Sequence, residues 1–152
     1  MTKRSTKHAT FTIERTYAAS PAKVFDAWAN PVSKAKWFVG PGEWVRSPHK
    51  LDFRVGGRES VAGGPQGGQV HRFDAAYHDI VPNERIVTTY DMYMDDTRIS
   101  VSLATVELTP AGTGTRLVYT EQGVFLDGYD DAGSREKGTR DLLDNLERSL
   151  RA

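Results

Sequence analysis

Cysteine is absent from the 152 residues. Its absence excludes disulfides, thiolate metal sites and a cysteine nucleophile, and it fits a cytoplasmic protein. An excess of either charge is missing too, since Lys and Arg total 20 and Asp and Glu total 20. A nucleic-acid backbone is held through a basic footprint, so no nucleic-acid partner is expected. No apolar run approaches the roughly 20 residues that a membrane helix needs, and no membrane insertion is expected. Met1 to His8 is basic with no apolar stretch behind it, unlike a secretory signal. Residues 1–9 read as a disordered basic tail.

Motifs for catalysis and metal binding are equally scarce. The four histidines, His8, His49, His71 and His78, form no His-x-x-x-His or His-Glu pair with metal-ligand spacing. No Gly-x-Ser-x-Gly elbow presents a serine nucleophile. The glycine-rich stretch from Gly63 to Gly68 lacks the Lys-Ser/Thr of a phosphate loop and reads as a hairpin loop. Asp127-Gly-Tyr-Asp-Asp131 lacks the ligand order and closing glutamate of a calcium loop. Neither a metal nor an organic cofactor is expected.

What is present describes one globular domain over residues 10–152. Apolar residues make up 38% and charged residues 26%, ordinary values for such a domain. Phe11, Ile13 and Tyr17 alternate with polar neighbours, the period of a half-buried strand. Ser20 then offers an N-cap and Pro21 a first helical position, with Val24, Phe25 and Trp28 on one face. Asn30-Pro31 ends that helix, and a second short one is expected to carry Trp37 and Phe38 as far as Gly40-Pro-Gly42.

The rest of the chain reads mostly as strand. His49 to Val55 alternates and ends at Gly56-Gly57, a place for a bulge or bend. Val70 to Ile80 and Ile86 to Met94 flank a turn at Pro82-Asn83. Between Arg98 and Leu108 the apolar positions shift from Ile99, Val101 and Leu103 to Val106 and Leu108, which predicts a bulge near Ala104-Thr105. Thr115 to Val124 follows. A helix from Ser134 to Leu150 closes the chain, with Leu142, Leu143, Leu146 and Leu150 on its apolar side. At a rise of 1.5 Å per residue it is about 25 Å long, enough to cross a sheet. On its N-terminal half the same face carries only Gly138 and Thr139, which leaves space beneath. The fold class is therefore α+β: a curved antiparallel sheet of six to seven strands wrapped around a long C-terminal helix, with two short helices after the first strand.

Pro21-x-x-Val24-Phe25-x-x-Trp28, the Trp37-Phe38 pair and Asp52-Phe-Arg-Val-Gly-Gly-Arg58 carry a family resemblance. So do Tyr77-His-Asp-Ile80, Pro82-Asn-Glu-Arg-Ile86 and Gly114-Thr-Arg-Leu117 leading into Thr120-Glu-Gln-Gly123. Their order over residues 10–151 resembles the START-like helix-grip superfamily, and within it the family homologous to the heat-shock-protein-90 ATPase activator. The resemblance implies a cavity between sheet and C-terminal helix. Many members carry Gly-Trp where this chain has Gly138-Thr139, so the mouth of that cavity is expected to be wider. The chain has no counterpart of the extra N-terminal domain of the eukaryotic chaperone activators, which counts against a chaperone partner.

Tyr77, Tyr90, Met92, Leu117 and Tyr119 fall on alternating strand positions and are expected to share the concave face with Phe53 and Trp28. Glu121 continues the face of Tyr119. Ordinary core packing is the competing reading for the aromatic residues, and a solvent-facing strand end for Glu121. A dry hole of roughly 400 Å³ would cost on the order of 10 kcal/mol at ~24 cal/mol per Å³, comparable to the whole stability of a domain. Any large pocket is therefore partly polar, occupied or collapsed. The expected ligand site comprises Trp28, Phe53, Tyr77, Tyr90, Met92, Tyr119, Glu121, Gly138 and Thr139, and the expected partner is a small hydrophobic or amphipathic molecule bound without catalysis. Two alternatives remain: a cyclase, aromatase or hydrolase using Glu121 or a pocket tyrosine as acid/base, and a chaperone-regulating interaction module. A homodimer through a sheet edge or helix is compatible with the sequence.

Overall fold

The structure, a computed structural model, describes residues 3–40 and 42–151. The first strand, β1 (Thr6–Tyr17), pairs antiparallel with β8 (Gly114–Leu126), placing Thr6 opposite Leu126 and Tyr17 opposite Thr115. Residues 6–9 thus belong to the sheet and not to the expected disordered tail. Arg4 reaches Asp127 at 3.0 Å just before them. Of the remaining residues in that tail, Met1 and Thr2 lie outside the described residues, as do Pro41 of the expected helix stop and Ala152.

Helix α1 (Pro21–Ala29) starts where the capping chemistry places it, with the Ser20 hydroxyl accepting from the Lys23 amide at 3.2 Å. Asn30 then caps the C-terminus of α1 and the N-terminus of α2 (Pro31–Ala35), its side chain accepting from the Val32 amide at 2.9 Å. The second helix is shorter than expected. Trp37 and Phe38 lie beyond its end, and buried Trp37 is locked by Nε1 donating to the Ala27 carbonyl at 2.8 Å.

Two two-residue strands, β2 (Val45–Arg46) and β3 (Lys50–Leu51), both pair with β4 (Arg58–Gly64). The strand expected over residues 49–55 is largely a tight turn. Gly57 donates to the Arg54 carbonyl at 2.7 Å, and a Cβ on Gly57 would lie 2.0 Å from the Asp52 carbonyl oxygen. Gly56 has φ 84° and donates to the Tyr77 carbonyl at 2.9 Å. The double glycine therefore makes a reversal that side chains would obstruct, and the next strand starts only after it.

β5 (His71–Val81), β6 (Arg85–Met94) and β7 (Thr97–Ala111) complete an eight-stranded sheet ordered β1-β8-β7-β6-β5-β4-β2, with β3 beside β4. The two short strands account for the excess over the six to seven expected. The expected bulge near Ala104-Thr105 lies earlier. Met92 faces Ser100 and Tyr93 faces Arg98, so Ile99 is the extra residue. Beyond it Ser100, Ser102, Ala104, Val106 and Leu108 are the buried positions, while Val101 and Leu103 are only partly covered. Apolar periodicity mistook the face because two of the inward residues are serines.

Helix α3 (Ala132–Arg151) lies against the sheet. Leu143 and Leu146 are fully buried, and the Tyr17 hydroxyl donates to the Leu143 carbonyl at 3.0 Å. Lys23 of α1 donates to the Leu150 carbonyl at 2.8 Å. The C-terminal half of α3 is thus held from two sides, and the N-terminal half overhangs the cavity. No helix among the described residues is long and apolar enough to cross a membrane.

Candidate functional site

A cavity of about 1300 Å³ lies between the sheet and α3. That exceeds the roughly 300–1,000 Å³ usual for a ligand pocket. Trp28, Trp37 and Phe38 form one end, Phe73, Tyr77, Tyr90 and Met92 belong to the sheet wall, and Arg135, Gly138 and Thr139 belong to the helix side. Exposed Gly42, Asp141 and Arg148 also border it, so the space opens to the surface. Eight of the nine residues read as a site from sequence border it: Trp28, Phe53, Tyr77, Tyr90, Met92, Tyr119, Gly138 and Thr139. The ninth, Glu121, is buried behind this wall and neither borders the cavity nor reaches solvent.

Glu121 is instead the centre of a buried polar cluster. Tyr119 donates to its Oε1 at 2.6 Å and Tyr90 to its Oε2 at 2.7 Å. Arg135, from the first turns of α3, lies 3.3 Å from Oε2 and donates to the Tyr90 hydroxyl at 2.9 Å. Its other nitrogen donates to Ser100 at 2.7 Å and to Asp130 at 3.1 Å. The inward serines of β7 therefore serve the guanidinium. Burial opposes the charge of Arg135, but Tyr90, Glu121 and Asp130 outweigh it and raise its pKa. Burial and the neighbouring carboxylate push the hydroxyls of Tyr90 and Tyr119 well above the usual tyrosine range.

A second cluster sits in the other wall. Lys34 of α2 donates to Glu59 Oε1 at 2.6 Å, as does the Tyr77 hydroxyl at 2.6 Å. The Nε2 of His49 is 2.6 Å from the remaining oxygen, Oε2. Lys34 also lies 4.6 Å from the Phe38 ring centre and 5.6 Å from that of Trp28. Burial pushes the Glu59 carboxyl up, but the Lys34 charge and the hydrogen bonds from His49, Lys34 and Tyr77 bring it down to about 2. Burial first, and then the Glu59 charge, drive the Tyr77 hydroxyl far above its ordinary range.

Sequence reasoning missed Lys34, His49, Glu59 and Arg135. Arg135 had left a signal, because it stands four residues before Thr139 on the stripe that continues through Leu142 and Leu146. A cation on the apolar stripe of a helix marks a buried partner. Lys34, His49 and Glu59 left none, since they come from a five-residue helix, a loop and a strand that meet only in the folded chain.

Both clusters leave one buried polar atom over. Among the described residues, Nε1 of Trp28 is buried without a hydrogen-bond partner. An unsatisfied buried donor costs about 1–3 kcal/mol.

The model of the family described as Activator of Hsp90 ATPase homolog 1-like protein matches residues 18–151. The chain belongs to this family. The resemblance read from Trp28, Trp37-Phe38 and the double glycine is thereby borne out, together with the START-like fold. A Rhizobium leguminosarum protein of known structure is 49% identical over 99% of both chains, with a TM-score of 0.93. The Mll3558 protein of Rhizobium loti is 50% identical over 95% of this chain and 99% of its own, with a TM-score of 0.88. The AHSA1-like protein of Aeromonas hydrophila, 20% identical over 94% of this chain and 92% of its own at a TM-score of 0.71, shares the fold. No curated protein matches the chain.

Proposed function

We propose that the protein binds a small hydrophobic or amphipathic molecule in the cavity between the sheet and α3, and does so without turning it over. The observation that carries this reading is the cavity itself, about 1300 Å³ of space bordered by aromatic rings and by two buried polar clusters in which each cation faces a carboxylate. Rings supply apolar contact, and the polar clusters let the same space hold water when no ligand is present. The size leaves room for a ligand and bridging waters together. A cysteine-free, charge-balanced chain suits such a carrier in the cytoplasm.

Acid/base chemistry through Glu121 has less support. Its two oxygens are taken by Tyr90, Tyr119 and Arg135, and it does not border the cavity. The tyrosines are no better placed, because their hydroxyls are held far above neutral pH. Native mass spectrometry of protein purified from its own cytosol tests the proposal, paired with thermal-shift measurements against lipids and polycyclic aromatics. The expected result is a co-purifying mass of a few hundred daltons and a raised Tm with at least one class. No added mass and no shift with any class would overturn the reading.

A further inference from the structure

Charge is shared unevenly around the cavity. Each carboxylate on its border has a cation of its own. Lys34 stands 2.6 Å from Glu59, Arg135 3.1 Å from Asp130, and Lys137 3.1 Å from Asp141. Three further cations on that border, Lys36, Arg46 and Arg148, form no ion pair among the described residues. All three are exposed, whereas Lys34 and Arg135 are buried. The surplus positive charge of the cavity therefore lies at its mouth and not in its depths. In a chain of zero net charge that surplus is local.

The fold brings two of these cations to one place. The Asn145 side-chain amide donates to the Trp37 carbonyl at 3.4 Å, joining α3 to the segment after α2. Lys36 immediately precedes Trp37, and Arg148 donates to the Oδ1 of Asn145, so the two flank this contact. Arg46 stands on the sheet side, on the edge strand β2 opposite Gly63.

We propose that the bound molecule is an amphipathic anion, with its apolar body inside the cavity and its acidic head at the mouth against Lys36 and Arg148, where Arg46 adds to the positive field. The inference rests on the cavity being a ligand site. Phe38, Phe73, Tyr90 and Met92 border the interior and suit an apolar body. An acidic head placed deeper would compete with Glu59 or Glu121 for Lys34 or Arg135, and would lose its water. At the mouth it keeps part of its hydration and meets cations that no other carboxylate holds.

Pyrenebutyrate and pyrenebutyramide test it, since they share one body and differ by one charge at neutral pH. Fluorescence titrations of the intact protein at low salt are expected to show the acid binding about tenfold more tightly, the scale of two exposed ion pairs. In about 1 M salt, where the screening length is about 3 Å, the preference is expected to fall to about twofold or less. K36Q/R148Q is expected to lose the preference at low salt while binding the amide as the wild type does. Both side chains are exposed and outside any ion pair among the described residues, so the variant is expected to fold. If it does not, the wild-type salt series decides alone. A preference retained in full by K36Q/R148Q, or in high salt, would overturn the inference. Equal affinities of the wild type for acid and amide would also overturn it and leave cavity binding standing. Binding of neither probe would overturn both.

Discussion

Glu59 is a carboxylate sealed from water and held ionised by partners from three other segments. Its folded pKa of about 2 lies below the ordinary 4.5. A depressed carboxylate stabilises the fold fully above the unfolded value and loses that contribution as pH falls towards the folded one. The window is therefore pH 4.5 down to about 2. The depression corresponds to about 3 kcal/mol at neutral pH. Urea unfolding followed by tryptophan fluorescence at a series of pH values should show the wild type losing stability across that window. E59Q should flatten the slope there and be less stable at pH 7 by about 3 kcal/mol, because Lys34 is left buried without its counter-charge. An unchanged slope in E59Q would contradict this assignment. The single-residue reading that went astray was Glu121: alternation placed it correctly on the inward face, but could not say that two tyrosines would stand in front of it.

The closing helix shows what a periodic pattern can and cannot reveal. Leu142, Leu143 and Leu146 were legible as a packing stripe, and Gly138-Thr139 as its thin end, because both follow from 3.6-residue spacing alone. Gly138 sits inside α3, exposed, and a Cβ there would meet nothing within 4 Å. The glycine costs the helix backbone entropy and relieves no clash. G138A should therefore stabilise the protein by about 0.5–1 kcal/mol, seen as a higher urea midpoint with an unchanged m-value. A lower midpoint would mean that the glycine meets a requirement of packing. Strand β7 was less legible. Its inward face changes at Ile99, where a bulge set by the pairing with β6 turns Ser100 and Ser102 towards Arg135. The cause lies in another element, so no pattern within β7 announces it.

The molecule closes by joining its ends. β1 pairs along its whole length with β8, and α3 packs back between them and α1. Such long-range pairing must overcome loop-closure entropy before it returns any stabilisation. Refolding from urea, followed by stopped-flow tryptophan fluorescence, should have its main phase in the range of milliseconds to seconds, about that of other domains dominated by non-local strand pairing. A microsecond phase carrying most of the amplitude would show that local structure dominates the transition state instead.

Element order, the capped helix at Ser20, the leucine stripe of α3 and most of the aromatic wall were readable because each depends on neighbours a few residues away. Caps, turns and amphipathic periods are local physics, written in local spacing. The turn at Gly56-Gly57, the phase of β7 and the two buried carboxylate clusters were decided only by tertiary structure. A buried charge exists because of its partners, and the partners of Glu59 and Glu121 arrive from α2, α3, loops and other strands. Gly138-Thr139 marked in the sequence where the helix leaves space, but the volume and lining of the cavity are tertiary, since a cavity is what remains after every other side chain has found its place.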